Sequence, residues 1–143
     1  MNYILISPYY PKNFQTFAHR LKSAGVQVFG IGEEPYDQLG SELQKSLSEY
    51  YRVNSLENVD EVKPNPALYI KTLEALGLDQ DEVVAVEDSV NGSLAAIRAG
   101  INCLIIPNEV TKALKFHEES HIIESYADFD LGHYLKKETW KRS

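Results

Sequence analysis

The succession Glu87-Asp88-Ser89 follows the apolar run Val83 to Val86 and precedes a second patterned segment. Adjacent carboxylates ending a buried strand are costly unless solvated or neutralised. A hard cation such as Mg²⁺, which takes oxygen ligands and keeps several waters, would neutralise them. Lys63, just before a helix start in Lys63-Pro64-Asn65-Pro66, would hold a phosphate nearby. Ser89 and the backbone amides opening the next helix would add hydrogen bonds to the same anion. On spacing alone a plainer reading is favoured: Glu87, Asp88 and Ser89 cap a helix, where acidic and hydroxyl residues are favoured.

Other candidates carry less chemistry. Ser7 ends the first apolar run, and a serine nucleophile needs a neighbouring base or metal to activate it. His19, His117, His121 and His133 are scattered without a metal-ligand spacing. Gly30-x-Gly32 with Glu33 and Glu34 lacks the third glycine of a dinucleotide fingerprint. Tyr9, Tyr10, Tyr36, Tyr50 and Tyr51 could line a small pocket, but half-buried tyrosines with wet hydroxyls are common. Cys103 is the one cysteine and, within the apolar run Asn102 to Ile106, reads as a small buried hydrophobe.

The elements that would position these residues alternate regularly. Tyr3 to Ser7 reads as a strand buried on both faces and central in a parallel sheet. Phe14, Phe17, Ala18 and Leu21 recur at helical spacing, with Gly25 as the stop. Val26 to Ile31 is a second buried strand; Leu39, Leu43, Leu47 and Tyr50 then fall on one helical face, and Tyr51 to Val53 makes a short third strand. Pro66 opens a helix capped by Asn65 that runs to Gly77. Val83 to Val86 is the fourth strand, a helix follows to Gly100, and Asn102 to Ile106 is the fifth. Beyond it, Thr111 to Phe116 reads as a short helix, Ile122-Ile123 as an edge strand and Phe129 to Leu135 as a closing helical turn.

This rhythm predicts one α/β domain over 1–143, a three-layer, doubly wound, Rossmann-like parallel sheet of order 3-2-1-4-5, the Ile122 strand at its edge. The cleft falls at the carboxyl ends of strands one and four, where Ser7, Lys63, Glu87 and Asp88 meet. With 143 residues, 43% hydrophobic and 24% charged, the composition is that of a globular chain. A net charge of -7 argues against binding to nucleic acid or to anionic membranes. The basic tail Lys136, Lys137, Lys141 and Arg142 reads as a solvated end. One cysteine and no long apolar stretch fit a reducing cytoplasm.

Residues 63–107 resemble the haloacid dehalogenase-like hydrolases, in particular the β-phosphoglucomutase and phosphoglycolate phosphatase branch. The match lies in Lys63-Pro64-Asn65-Pro66, Glu87-Asp88-Ser89 and Gly92-Ser93-Leu94-Ala95-Ala96-Ile97-Arg98-Ala99-Gly100. With the weaker tail it covers 63–143, about half the chain. The resemblance implies that Lys63 contacts the phosphoryl group, that Glu87 and Asp88 serve the Mg²⁺ shell, and that Gly92 and Gly100 shape the flanking helix. Phosphate or a phosphorylated small molecule would be the ligand.

The first half departs from that pattern. Where the family has Asp-x-Asp, this chain reads Ile4-Leu5-Ile6-Ser7-Pro8-Tyr9, and its second strand ends Gly30-Ile31-Gly32-Glu33 without the family's Ser or Thr. Residues 1–62 look instead like the Rossmann-like domain that precedes the ATP-grasp fold, through Ile6-Ser7-Pro8-Tyr9-Tyr10 and Gly30-Ile31-Gly32. The expectation is therefore a chimera joined near Val62, engineered or recombined, without intact catalytic function and with a vestigial Mg²⁺ and phosphate corner. Two alternatives stand beside it: a Mg²⁺-dependent phosphatase or phosphosugar mutase, and a small-ligand or nucleotide-binding module.

Overall fold

The computed structural model describes residues 1–8, 13–54 and 65–140. Its six parallel strands are β1 (Asn2–Ile6), β2 (Gln27–Gly32), β3 (Glu49–Arg52), β4 (Val83–Glu87), β5 (Asn102–Ile105) and β6 (His121–Ile122). Their order is β3-β2-β1-β4-β5-β6, the expected order with the edge strand added. Helices α1 (Asn13–Ser23), α2 (Ser41–Ser46), α3 (Ala67–Leu76), α4 (Val90–Arg98) and α5 (Leu131–Tyr134) connect or cover them.

The strands are apolar throughout because both sheet faces are covered, and successive side chains leave opposite faces. Tyr3 and Leu5 point into one core with Phe14, Phe17 and Leu21 of α1, Leu43 of α2, Phe129 and Trp140. Ile4 and Ile6 point into the other, with Leu68, Tyr69 and Leu73 of α3 and Ala95 and Ala96 of α4. Small alanines on α4 let that helix lie close to the sheet. The register Leu5↔Val86 sets the ends of β1 and β4 side by side, so Ser7 and Asp88 leave the sheet at the same edge.

Helix ends follow the residues that mark them. Asn65 Oδ1 accepts the Ala67 amide at 2.9 Å, and Pro66 is the capping residue itself, one position outside the helix it was expected to open. Gly77 and Gly100 end α3 and α4 with φ of 66° and 80°, a region open to glycine at little cost.

Two expectations are corrected. Leu39, Leu43, Leu47 and Tyr50 do not share a helical face: of the four only Leu43 lies in α2, Leu39 and Leu47 are extended, and Tyr50 pairs with Gly30 in β3. A Cβ on Gly30 would lie 2.9 Å from the Tyr50 ring, so strand pairing and ring packing over a bare backbone outcompete another helical turn. Thr111 to Phe116 forms turns and bends, not a helix. Val110 and Leu114 are 82% and 52% exposed, which leaves no apolar stripe to dock a helix there.

Candidate active site

At the carboxyl edge of the sheet, β1 ends and Ser7 takes a φ of 51°, uncommon for a residue with a side chain. Its amide donates to Ile31 O at 2.7 Å, so the ladder to β2 fixes the turn. Pro8, buried behind it, packs near Gly30. Ser7 is half-buried, at the strand tip where the resemblance expects a nucleophile.

Asp88 lies one strand over. Its Oδ2 accepts from Asn108 Nδ2 at 3.0 Å, and its carbonyl accepts from Thr111 Oγ1 at 2.6 Å. Asn108 is held in turn, its Oδ1 accepting from the amides of Val110 and Thr111 at 2.8 and 2.9 Å. The loop after β5 thus clasps Asp88 from both its side chain and its backbone. Beside it opens a cleft of about 630 Å³, walled by Phe17, Arg20, Ile106, Glu124 and Tyr126 among others. Arg20 donates to the carbonyls of Tyr126 and Phe129 at 3.0 and 2.8 Å, which fixes one wall. Burial, with the Asp88 charge as a lesser cause, pushes the Tyr126 phenol well above its ordinary pKa, so its ring presents a neutral hydroxyl.

Glu87 faces the other way. It is 3% exposed and accepts a 2.5 Å hydrogen bond from the Tyr69 hydroxyl. Burial first, then the Glu87 charge, raises the Tyr69 pKa far above that of a free tyrosine, which keeps Tyr69 the donor. Gly92 makes the room: a Cβ there would sit 2.0 Å from Glu87 Oε2. Ser89 acts as the cap of α4, its Oγ accepting the Gly92 amide at 3.1 Å. Lys63 lies outside the described residues.

The expected corner is therefore divided. Asp88 opens on the cleft, Ser89 is engaged with its own helix, and Glu87 points into the core beneath α4. Among the described residues no three His, Cys, Asp or Glu side chains form a metal cage. Mg²⁺ is commonly held by one or two carboxylates, with substrate phosphate and water completing its shell. Asp88 suits that role as it stands, whereas Glu87 is buried and bonded to Tyr69. Sequence reasoning missed Asn108, Thr111 and Tyr69. Asn108 with Thr111 three residues on is a legible local turn signal, but nothing in the sequence ties that turn to Asp88, nor Tyr69 to Glu87.

Residues 12–106 match the family Haloacid dehalogenase-like hydrolase. Among curated relatives, YhcW of Bacillus subtilis (strain 168), a candidate phosphatase by its name, is 35% identical over 120 residues, covering 82% of this chain and 54% of its own length. Among solved structures, CbbY from Rhodobacter sphaeroides in complex with xylulose-1,5-bisphosphate aligns with a TM-score of 0.62 at 22% identity, over 80% of this chain and 53% of that one. The D,D-heptose 1,7-bisphosphate phosphatase of B. bronchiseptica, complexed with magnesium and phosphate, aligns at 0.65 and 16%, over 89% and 94%. At these identities the structures show a shared fold, and the chain spans about half or less of the curated relatives it matches.

These matches correct the expectation of a chimeric scaffold without intact catalytic function. The family match runs unbroken across the joint expected near Val62, and the similarity to YhcW favours the phosphatase alternative. A separate pre-ATP-grasp origin for residues 1–62 is not carried by them. Among the described residues, no helix is long and apolar enough to cross a membrane.

Proposed function

Because this chain belongs to the haloacid dehalogenase-like hydrolases, we propose that it is the core of a phosphatase acting on a phosphorylated small molecule, with phosphosugars the nearest substrate class. The observation that carries the reading is Asp88, clasped by Asn108 and Thr111 at the tip of β4 and open to a cleft of about 630 Å³, within the usual size range of small-ligand sites. Asp88 would hold Mg²⁺, which when bound neutralises phosphate charge and polarises the phosphorus centre. Lys63 would offset the remaining anionic charge.

Hydrolysis breaks the bond between phosphorus and the leaving oxygen and gives an alcohol and inorganic phosphate. Residues 1–8 contain no aspartate, so in this reading either water attacks phosphorus directly, or Ser7 does, the alcohol leaving as a phosphoserine forms and water then cleaving that ester to release phosphate and restore Ser7. The strained Ser7 turn supports its candidacy, since such backbone is often found at functional sites. The cleft walls Phe17 and Tyr126 would seat the organic part of the substrate and exclude water from it.

The test is hydrolysis of a generic phosphate monoester by the folded chain with and without Mg²⁺, beside Asp88→Asn and Ser7→Ala. Mg²⁺-dependent turnover that falls at least ~100-fold in Asp88→Asn is expected, on the scale of removing a group that stabilises transition-state charge. A matching loss in Ser7→Ala would assign the nucleophile to Ser7, and unchanged turnover would assign it to water. Absence of turnover in folded wild-type protein overturns the proposal.

A further inference from the structure

Glu87 and Asp88 are consecutive, yet only one of them faces the cleft. The backbone of Glu87 is held: it pairs with Ile105 in the sheet, and its carbonyl accepts the Ile106 amide at 2.9 Å. Any movement of its carboxylate must therefore come from its own side-chain torsions. The inward position is stabilised by the 2.5 Å bond from Tyr69, a length typical of a charge-assisted hydroxyl to carboxylate bond. It is also shaped by Gly92, which leaves the space the carboxylate fills. A buried carboxylate is costly without such a donor, so the Tyr69 hydroxyl helps to hold Glu87 inside.

We propose that Tyr69 is a positioning residue that holds Glu87 in an inward resting orientation, and that a divalent cation arriving at Asp88 competes with the Tyr69 hydroxyl for this carboxylate. The inference rests on the reading of Asp88 as part of a Mg²⁺ and phosphate corner. Tyr69 acts through Glu87 and touches no substrate. In its resting form the chain offers the cation one carboxylate, and a second is recruited only when the Tyr69 bond is given up. Cation affinity is thereby set from the core side of the sheet, by a residue on α3.

The experiment is a MgCl₂ titration of the full chain by calorimetry for wild type, Tyr69→Phe and Glu87→Gln, with proton NMR of the wild type. A short hydroxyl to carboxylate bond shielded from solvent gives a far-downfield proton. Three results are expected: Tyr69→Phe binds Mg²⁺ roughly tenfold more tightly, the scale of one hydrogen bond to a charged group; Glu87→Gln binds it more weakly; and the downfield proton disappears as wild type saturates. Tightening is a change that a merely structural Tyr69 would not produce.

Mg²⁺ binding with equal affinity in all three proteins, and a downfield proton that persists at saturation, would overturn the inference while leaving the corner intact. No binding by any of the three would overturn both. Thermal melting checks the fold of each variant. Should Tyr69→Phe fail to fold, the Glu87→Gln affinity and the wild-type proton signal still decide.

Discussion

Asp88 and Glu87 show how one peptide unit separates two identical functional groups. Strand alternation sends their side chains to opposite sides, so one carboxylate meets water and the Asn108 amide while the other meets a phenol in the core. What keeps Asp88 in place is Thr111, which donates to the Asp88 carbonyl and accepts the Asn108 amide at 3.0 Å. Replacing Thr111 by Val keeps the shape and removes both bonds. A loss of about 1–2 kcal/mol is expected in urea unfolding, since each bond contributes about 0.5–1.5 kcal/mol net and the site is only half-buried. Thr111→Ser should recover most of it; equal losses in the two variants would mean that packing of the methyl group, and not the hydroxyl, holds the loop.

Helix α4 is the element on which the corner turns. Its N-terminus is capped by Ser89, its inner face is small enough to lie on the sheet, and at Gly92 it passes directly over Glu87. Helix propensity favours alanine over glycine by about 1 kcal/mol, so Gly92→Ala would stabilise an isolated helix. In this fold the added methyl meets the Glu87 carboxylate, which is bonded to the Tyr69 hydroxyl. Overpacking of this kind costs about 1–3 kcal/mol, and a net destabilisation is the expected outcome of chemical denaturation. A variant as stable as the parent would show that Glu87 moves aside easily, contrary to its close seating.

Across the whole molecule, the C-terminal segment closes the face that α1 and α2 leave open. Phe129 packs edge-on against Phe17 and Tyr3 at ring separations of 4.9 and 6.0 Å, Tyr3 donates to the Tyr134 carbonyl at 2.9 Å, and Trp140 stacks obliquely on His121 at 4.6 Å. Burial, and then the neighbouring His133, lower the His121 pKa below its ordinary 6.5. The folded form thus binds a proton less readily than the unfolded chain. The His121 contribution is fully present above about pH 6.5 and is lost as pH falls through that value towards the lowered folded pKa. Thermal melting between pH 7.5 and 5 should show Tm falling with acidity, and His121→Gln should flatten the part of the slope that His121 supplies. An unchanged slope in that variant would assign the acid sensitivity to other groups.

The order of the sheet and the positions of α1, α3 and α4 were legible in the sequence. Each rests on local signals: apolar runs bounded by Pro and Gly, helical spacing, and caps such as Asn65 and Ser89. The family signal was equally legible in Glu87-Asp88-Ser89 and the segment after it, but no family motif stands before Lys63, because the strand ending in Ser7 lacks the expected aspartates, and the family match nevertheless extends over residues 12–106. What only the tertiary structure decided were relations between distant residues: Glu87 with Tyr69, Asp88 with Asn108 and Thr111, and Gly30 beneath Tyr50. Pattern and propensity are properties of a segment. The direction in which a carboxylate points depends on which side chain from another element leaves it room and a donor, and that is settled only once the sheet has brought the elements together.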